Sequence, residues 1–171
     1  MLLLILLTSL SPDHKSDTLY WCHEKKLSWE IFTYDSAATR IGARIAPQLW
    51  VTPRAVGKNF VLEVHAVLFK GKALSNDTSK SLLEHEQIHF DIAELAARKA
   101  RAYVSKQTIV PGNVNEMILS AYDLGVSFMK ETNEQFDNET HHGFLESPQN
   151  QWRKRIDDEL ERSEAFKVSC R

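Results

Sequence analysis

In the first half of the chain, the pattern of apolar and polar residues from Trp29 to Phe69 is typical of strands. The clearest example, residues 60–69, reads FVLEVHAVLF. Every second residue from Phe60 to Leu68 is apolar, whereas the alternate set contains a glutamate and a histidine. This pattern predicts a half-buried strand. β-Branched and aromatic residues punctuated by glycine and proline predict further strands between Trp29 and this segment.

In the second half, apolar residues recur at steps of three and four, which is typical of amphipathic helices. Residues 76–79 read NDTS, a cluster of residue types that cap helices. No glycine or proline interrupts the following stretch from Lys80 to Val110. The pattern predicts one long helix over this stretch, ended by Pro111.

Two further helices are predicted after this one. Asn113 and Glu116 have the spacing of a capping box and mark the start of the second helix. Ser147 and Pro148 provide an N-cap and a first-turn proline for the third. Strands followed by helices predict an α+β domain: a small, mainly antiparallel sheet of N-terminal strands, then three helices.

The composition is that of an ordinary globular protein. The 171 residues are 43% hydrophobic and 26% charged, with only six glycines and five prolines, which excludes collagen-like and disordered chains. Twenty-one basic residues against 23 acidic residues give a formal net charge of −2. Because this balance creates no basic field, we expect no nucleic-acid partner. The oligomeric state stays open.

The chain begins with an apolar run, MLLLILLTSL. A helix that spans a bilayer takes about 20 apolar residues, so no stable transmembrane span is expected from this run. It is similar to the apolar region of a signal peptide, although no basic residue precedes it. We therefore expect residues 1–16 to be a leader, residues 17–171 to form a single domain, and the protein to be secreted or periplasmic. The alternative is a buried strand or helix stub.

Two cysteines, Cys22 and Cys170, lie near opposite ends of the chain that would remain after leader removal. An exported protein tolerates a disulfide between them, and such a bridge would close a loop of nearly the whole chain. The sequence leaves open whether the two thiols are bridged or free. No Cys-x-x-Cys pair occurs, which excludes a thiol redox motif and a cysteine-based zinc site.

The first predicted helix contains His85-Glu86-Gln87-Ile88-His89, the H-E-x-x-H pattern. Residues four apart share one helix face, so both imidazoles can reach a single metal ion. Zinc lowers the pKa of a bound water towards 7, and a carboxylate beside it can accept the proton as general base. The pattern predicts a zinc-dependent hydrolase in which His85 and His89 bind the metal and Glu86 is catalytic.

Catalytic zinc usually takes a third protein ligand. The sixth residue after His89 is a leucine, so the extended pattern with a third histidine is absent. Spacing leaves a segment at the end of the second helix, whose possible ligands are Asp137, Glu139, His141 and His142. A carboxylate from this segment could instead orient a ligand histidine. Spacing alone does not decide among these four side chains.

Two wider segments resemble an uncharacterised bacterial family of predicted secreted zinc-dependent proteases. Residues 83–94, LEHEQIHFDIAE, are similar to the family pattern L-x-H-E-Q-G-H-F-D-I-A-E, with Ile88 in place of the glycine. Residues 136–143, FDNETHHG, are similar to its Y-D-x-x-T-x-H-G, with Phe136 in place of the tyrosine. Together with weaker matches, the resemblance covers roughly residues 27–160.

This resemblance implies a minimal zincin-like fold, zinc as cofactor and a peptide or protein substrate. Its T-x-H-G register implies His142 as the third metal ligand, with Asp137, Glu139 and His141 as alternatives or supporting residues.

The sequence therefore predicts an exported zinc metallopeptidase. The alternatives are a non-enzymatic, zinc-stabilised envelope or interaction protein, and a metal-free domain whose histidines are incidental. An open coordination position would favour the enzyme over a structural zinc site.

Overall fold

The computed structural model describes residues 17–37 and 42–170. It has six strands, which are β1 (Thr18–Tyr20), β2 (Thr33–Tyr34), β3 (Ala43–Arg44), β4 (Gln48–Val56), β5 (Asn59–Phe69) and β6 (Leu74–Ser75). Three α-helices follow, which are α1 (Lys80–Val104), α2 (Val114–Thr140) and α3 (Glu146–Arg162). This order confirms the predicted α+β class. The predicted leader, residues 1–16, lies outside the described residues.

The strands form two small sheets rather than one. The larger sheet has the order β1-β5-β4 and is antiparallel throughout. The smaller has the order β2-β6-β3, in which β3 is antiparallel and β2 parallel to β6. The strands β4 and β5 form a hairpin whose turn contains Gly57 at a φ of 61°, a conformation that glycine adopts without steric cost.

Strand β5 matches the predicted segment but is more deeply buried than its pattern suggested. Its apolar face, which includes Leu62 and Val64, is buried as expected. The other face is also buried towards the end of the strand, at His65 and Val67. The end of the strand is therefore covered on both faces.

Helix α1 is the central element and packs against β5, α2 and α3. Its apolar positions at helical spacing, among them Ile88 and Ile92, are fully buried. Four alanines on the helix are also fully buried: Ala93, Ala96, Ala97 and Ala100. Small side chains let neighbouring elements approach the helix closely. Gly125 of α2 sits beside the Ala96 carbonyl, where an added Cβ would lie 3.3 Å from that oxygen.

A buried carboxylate joins α1 to the N-terminal segment and to α3. Asp91 accepts hydrogen bonds from Trp21 Nε1 at 2.6 Å and from Gln87 Nε2 at 2.8 Å, and it pairs with Arg153 Nη1 at 2.5 Å. Because the buried carboxylate has these three polar partners, its charge is compensated by hydrogen bonds and an ion pair. It fixes the rotation of α1 about its own axis.

The ends of two helices differ from the predictions. Helix α1 ends at Val104 instead of continuing to Val110, because Ile109 is buried and its carbonyl accepts a hydrogen bond from Phe60 N at 2.8 Å. The last residues of the predicted helix thus pair with β5. Helix α3 begins at Glu146, before the predicted cap Ser147, so that residue falls within the first turn.

The capping predictions have mixed outcomes. Ser79 caps α1 and accepts a hydrogen bond from Leu82 N, as the NDTS cluster indicated. Asn113 stands at the N-cap of α2, but its side chain accepts from Val110 N at 2.9 Å and makes no cap hydrogen bond. The predicted capping box is therefore not formed.

Cys22 and Cys170 form a disulfide with a Cα–Cα distance of 5.1 Å. The bridge ties the segment after β1 to the last described residue of the chain. Among the described helices, none combines the length and the apolarity that a membrane crossing requires.

We expect removal of this disulfide to destabilise the fold strongly. The bridge joins residues 148 positions apart, and a loop of this size restricts the unfolded chain by about 4–5 kcal/mol in the chain-entropy model. The double substitution Cys22→Ser with Cys170→Ser should lower the free energy of unfolding by that amount in urea titrations. Reduced wild-type protein should match the variant; equal stabilities of the oxidised and reduced proteins would contradict the assignment.

Candidate metal centre

Helix α1 presents His85 and His89 one turn apart on the same face. Their ring centroids are 4.7 Å apart, and their Nε2 atoms approach to 3.1 Å. The two imidazoles therefore point their outer nitrogens at one position, as the four-residue spacing predicts.

Asp137 of α2 brings a third polar atom to the same position. Its Oδ1 lies 3.1 Å from His85 Nε2 and 3.1 Å from His89 Nε2. The three atoms thus form a nearly equilateral triangle. A tetrahedral zinc ion with ligands at about 2.0–2.1 Å separates those ligands by roughly 3.3 Å. The triangle fits such an ion with little adjustment.

The inner ring nitrogens of both histidines face amide oxygens. His85 Nδ1 lies 3.2 Å from Gln149 Oε1, and His89 Nδ1 lies 2.9 Å from Asn133 Oδ1. The orientation of the Gln149 amide is fixed, because its Nε2 donates to the carbonyl of Ser81 at 3.0 Å. In the neutral ring, a proton on Nδ1 satisfies each of these two contacts. Metal-binding histidines typically make such an outer hydrogen bond.

This assignment leaves a lone pair on each Nε2. Two imidazole lone pairs and one carboxylate oxygen then face each other at hydrogen-bond distance without a proton to share between the rings. Such a group repels itself unless a cation lies between its members. Two nitrogens and one oxygen are a donor set that suits zinc.

The ring of Phe136 packs against both imidazole rings. It is fully buried, stacks on His85 with centroids 4.4 Å apart, and meets His89 edge-on at 5.0 Å. Trp152 of α3 contacts the far side of Phe136 at 5.5 Å. This apolar support restricts the rotamers of the two rings and keeps water away from one side of the cluster.

The cluster couples one anionic group to two imidazoles. Burial would raise the pKa of Asp137, but its contacts with His85 and His89 outweigh burial and hold that pKa well below its usual range. Burial lowers the pKa of His85, against the influence of Asp137. The carboxylate is therefore charged at neutral pH and the His85 ring is neutral, which are the forms that bind a metal. Burial would lower the pKa of His89, but Asp137 and Glu86 outweigh burial and raise it. A metal ion at this position would therefore replace a proton on the His89 ring.

Glu86 lies beside the cluster and is 2% exposed. Burial raises its pKa to about 7, although the charge of His89 and a hydrogen bond from the Ile45 backbone N–H both lower it. A carboxylate with a pKa near neutrality is well matched to exchange protons with water. The Ile45 contact also holds the carboxylate in place, directly after β3.

The triangle and Glu86 open onto a cavity of about 350 Å³. Its walls come from three regions: residues 42–47, helix α1, and the end of α2 with the turn that follows. The residues that line this cavity include Ile45, Pro47, Leu82, His142 and Phe144. A space of this size admits part of a ligand, and one side of the cluster is therefore accessible.

The other predicted ligands lie outside the triangle. Among the described side chains, His142 is not part of the group whose ligand atoms lie within 4.8 Å of one another. Its Nδ1 is 3.6 Å from Asp137 Oδ1, and its side chain is 74% exposed. Glu139 accepts hydrogen bonds from Gln135 and from Trp152, away from the cluster. His141 is exposed at the C-cap of α2.

Three residues of the site escaped the sequence analysis. Asn133 precedes Asp137 by one helical turn, so the helical spacing of α2 could have predicted that both residues lie on the same face. Gln149 reaches the site because α3 packs on α1, and Ile45 because β3 passes beside it. No local sequence pattern predicts either of these tertiary contacts.

The turn after α2 is strained and touches the site. His141, His142 and Gly143 all have positive φ, at 49°, 55° and 87°. A Cβ on Gly143 would lie 3.1 Å from His85 Cγ and 3.3 Å from Gln149 Oε1. Glycine is thus required there both by its backbone conformation and by its contact with the His85 ring.

We expect Gly143→Ala to cost more stability than Gly57→Ala. Both glycines have positive φ, but nothing lies within 4 Å of a Cβ at Gly57. Alanine at Gly57 should cost about 1 kcal/mol from its backbone conformation. At Gly143, the backbone cost is the same, and overpacking against His85 should add roughly 1–3 kcal/mol of destabilisation. Urea denaturation of both variants measures the difference, and equal losses would show that the turn does not press on the ring.

Comparison with protein-family models, curated proteins and solved structures finds no match for this chain. The resemblance to secreted zinc-dependent proteases therefore stays a prediction from the sequence.

Proposed function

We propose that this protein is an exported zinc-dependent hydrolase, a metallopeptidase that cleaves amide bonds. The observation that carries the proposal is the triangle of His85, His89 and Asp137, with two imidazole nitrogens and one carboxylate oxygen 3.1 Å apart. Beside it lies Glu86, a buried carboxylate with a pKa raised to about 7.

We propose Asp137 rather than His142 as the third ligand. Asp137 is anionic, partly buried and already within 3.1 Å of both histidine nitrogens. A set of two histidines and a carboxylate is known from catalytic zinc sites that keep a fourth position for water or substrate. The adjoining cavity supplies room for that fourth position.

Bound zinc would act as a Lewis acid, which acidifies water and polarises a carbonyl oxygen. The protein supplies the remaining functions. Glu86 accepts the proton of the attacking water and returns it to the leaving nitrogen. The Ile45 N–H fixes the Glu86 carboxylate, while Gln149 and Asn133 hold the imidazoles in the ligating tautomer.

Export is supported by two features. The chain begins with a run that is similar to a signal peptide, and Cys22 and Cys170 are bridged. Disulfides persist in oxidising compartments and are rare in the cytosol.

We expect the purified protein to contain about one zinc ion per chain, held by His85, His89 and Asp137. Asp137→Ala should weaken zinc binding by about 100-fold or more, since loss of a mere supporting residue already costs about 10–100-fold. His142→Ala, a matched change at a neighbouring exposed residue, should leave zinc affinity within a few-fold of wild type. Elemental analysis of tag-free protein and competition with a zinc chelator provide the measurements.

Two results would contradict this assignment. An absence of stoichiometric zinc after supplementation would favour the metal-free interpretation of the domain. Loss of zinc in His142→Ala with retention in Asp137→Ala would restore His142 as the third ligand.

We expect Glu86→Gln to keep zinc and lose hydrolysis. The amide preserves the volume of the side chain but removes the base, which contributes typically about 10²–10⁴-fold to rate. Glu84→Gln is the control, because Glu84 lies two residues away on α1 and pairs with Lys80 at the surface. Digestion of a mixed peptide library, analysed by mass spectrometry, compares the three proteins.

Wild-type turnover in Glu86→Gln would refute the role of Glu86. If the wild type binds zinc, cleaves no peptide and unfolds when zinc is removed, the metal has a structural role. That outcome would favour the zinc-stabilised interaction protein.

A further inference from the structure

Phe144 is a solvent-exposed aromatic side chain at the rim of the cavity beside the candidate metal centre. It is 70% exposed and lines the same cavity as His85, Glu86 and Asp137. Single exposed apolar residues are common on protein surfaces. Phe144 differs from Leu119, which is exposed on α2, because of its place next to the reactive groups.

The position of Phe144 is fixed by the turn that precedes it. The backbone N–H of Phe144 donates to the carbonyl of His141 at 3.3 Å, and that of Leu145 donates to the carbonyl of Thr140 at 2.9 Å. Thr140 is fully buried and its Oγ1 accepts from Gly143 N at 3.3 Å. The aromatic ring is thus carried by a hydrogen-bonded turn rather than by a loose loop.

The turn that caps the C-terminus of α2 holds two non-glycine residues in a strained backbone conformation. His141 and His142 adopt left-handed conformations without being glycine, which costs about 1–3 kcal/mol each. Strain of this kind gathers at ligand-binding and active sites. In this protein, the left-handed residues turn the chain so that Phe144 lies at the rim of the cavity.

Apolar residues on the other walls flank the polar residues Arg44, Asn133 and His142. Ile45 and Pro47 line the cavity from the segment that follows β3, and Leu82 lines it from α1. Sites that bind apolar groups commonly have such walls around a few converging polar atoms. An extended peptide whose amide lies at the triangle would bring a neighbouring side chain against these surfaces.

We propose that Phe144 contacts the substrate residue beside the cleaved bond and selects a large apolar side chain there. The substrates would be peptides with leucine, methionine or phenylalanine at that position. This inference rests on the proposed peptidase function, since it assigns the substrate class of the same site.

The test uses a peptide library with variable residues on both sides of every potential cleavage point. It compares wild-type protein, Phe144→Ala, Phe144→Leu and Leu145→Ala, the last being a control at a described residue outside the cavity lining. Cleaved bonds are identified by mass spectrometry, and kcat and KM are then measured for one leucine-containing peptide and its alanine counterpart.

In the wild type, large apolar residues should be enriched beside the cleaved bond. Phe144→Ala should lose about ten-fold in kcat/KM on the leucine peptide, within the range for one apolar contact, mainly through KM. Its activity on the alanine peptide should change little. Phe144→Leu should retain most of the preference, and Leu145→Ala should behave as wild type. No apolar enrichment, or equal profiles for Phe144→Ala and Leu145→Ala, would overturn the inference.

Binding of the same two peptides, labelled for fluorescence anisotropy, separates this inference from the proposed function. If the zinc-containing wild type cleaves nothing, the peptidase proposal fails. The apolar contact would still stand if the leucine peptide binds about ten-fold tighter than the alanine peptide and Phe144→Ala abolishes the difference. Equal binding of the two peptides would refute it.

Discussion

The close approach of His85 Nε2, His89 Nε2 and Asp137 Oδ1 is the constraint around which the site is built. Three acceptor atoms at 3.1 Å are unfavourable by themselves when each ring proton lies on the nitrogen that faces an amide oxygen. A cation would convert this repulsion into coordination. The proposed site would therefore be most stable with a metal ion bound, and metal binding should in turn stabilise the fold.

The rest of the molecule maintains this arrangement. Asp91, on another face of α1, bonds to Trp21 and Arg153 and prevents the helix from rotating. Phe136 lies under both imidazoles, and Gln149 connects His85 to α3. Elements distant in sequence thus fix two side chains on one helix, which is the preorganisation that catalysis by a metal site requires.

Sequence periodicity was sufficient for the α+β class, the strand around Val64 and the helix with its Ser79 cap. It also placed His85, Glu86 and His89 within one helical turn, because their relation is local to α1. Which side chain comes nearest to the two histidines depends on where α2 ends. Because α2 stays helical to Thr140, Asp137 faces the histidines, and His142 falls in the turn beyond it. Two small sheets and the contact from Ile45 depend on tertiary packing, which leaves no periodic signal.

X-ray absorption at the zinc K edge of the wild-type protein measures the ligand set of the proposed metal site. We expect four light ligand atoms at about 2.0–2.2 Å, with the outer-shell scattering of two imidazole rings and one carboxylate. Scattering from three imidazoles, or from six oxygens without imidazole, would contradict it.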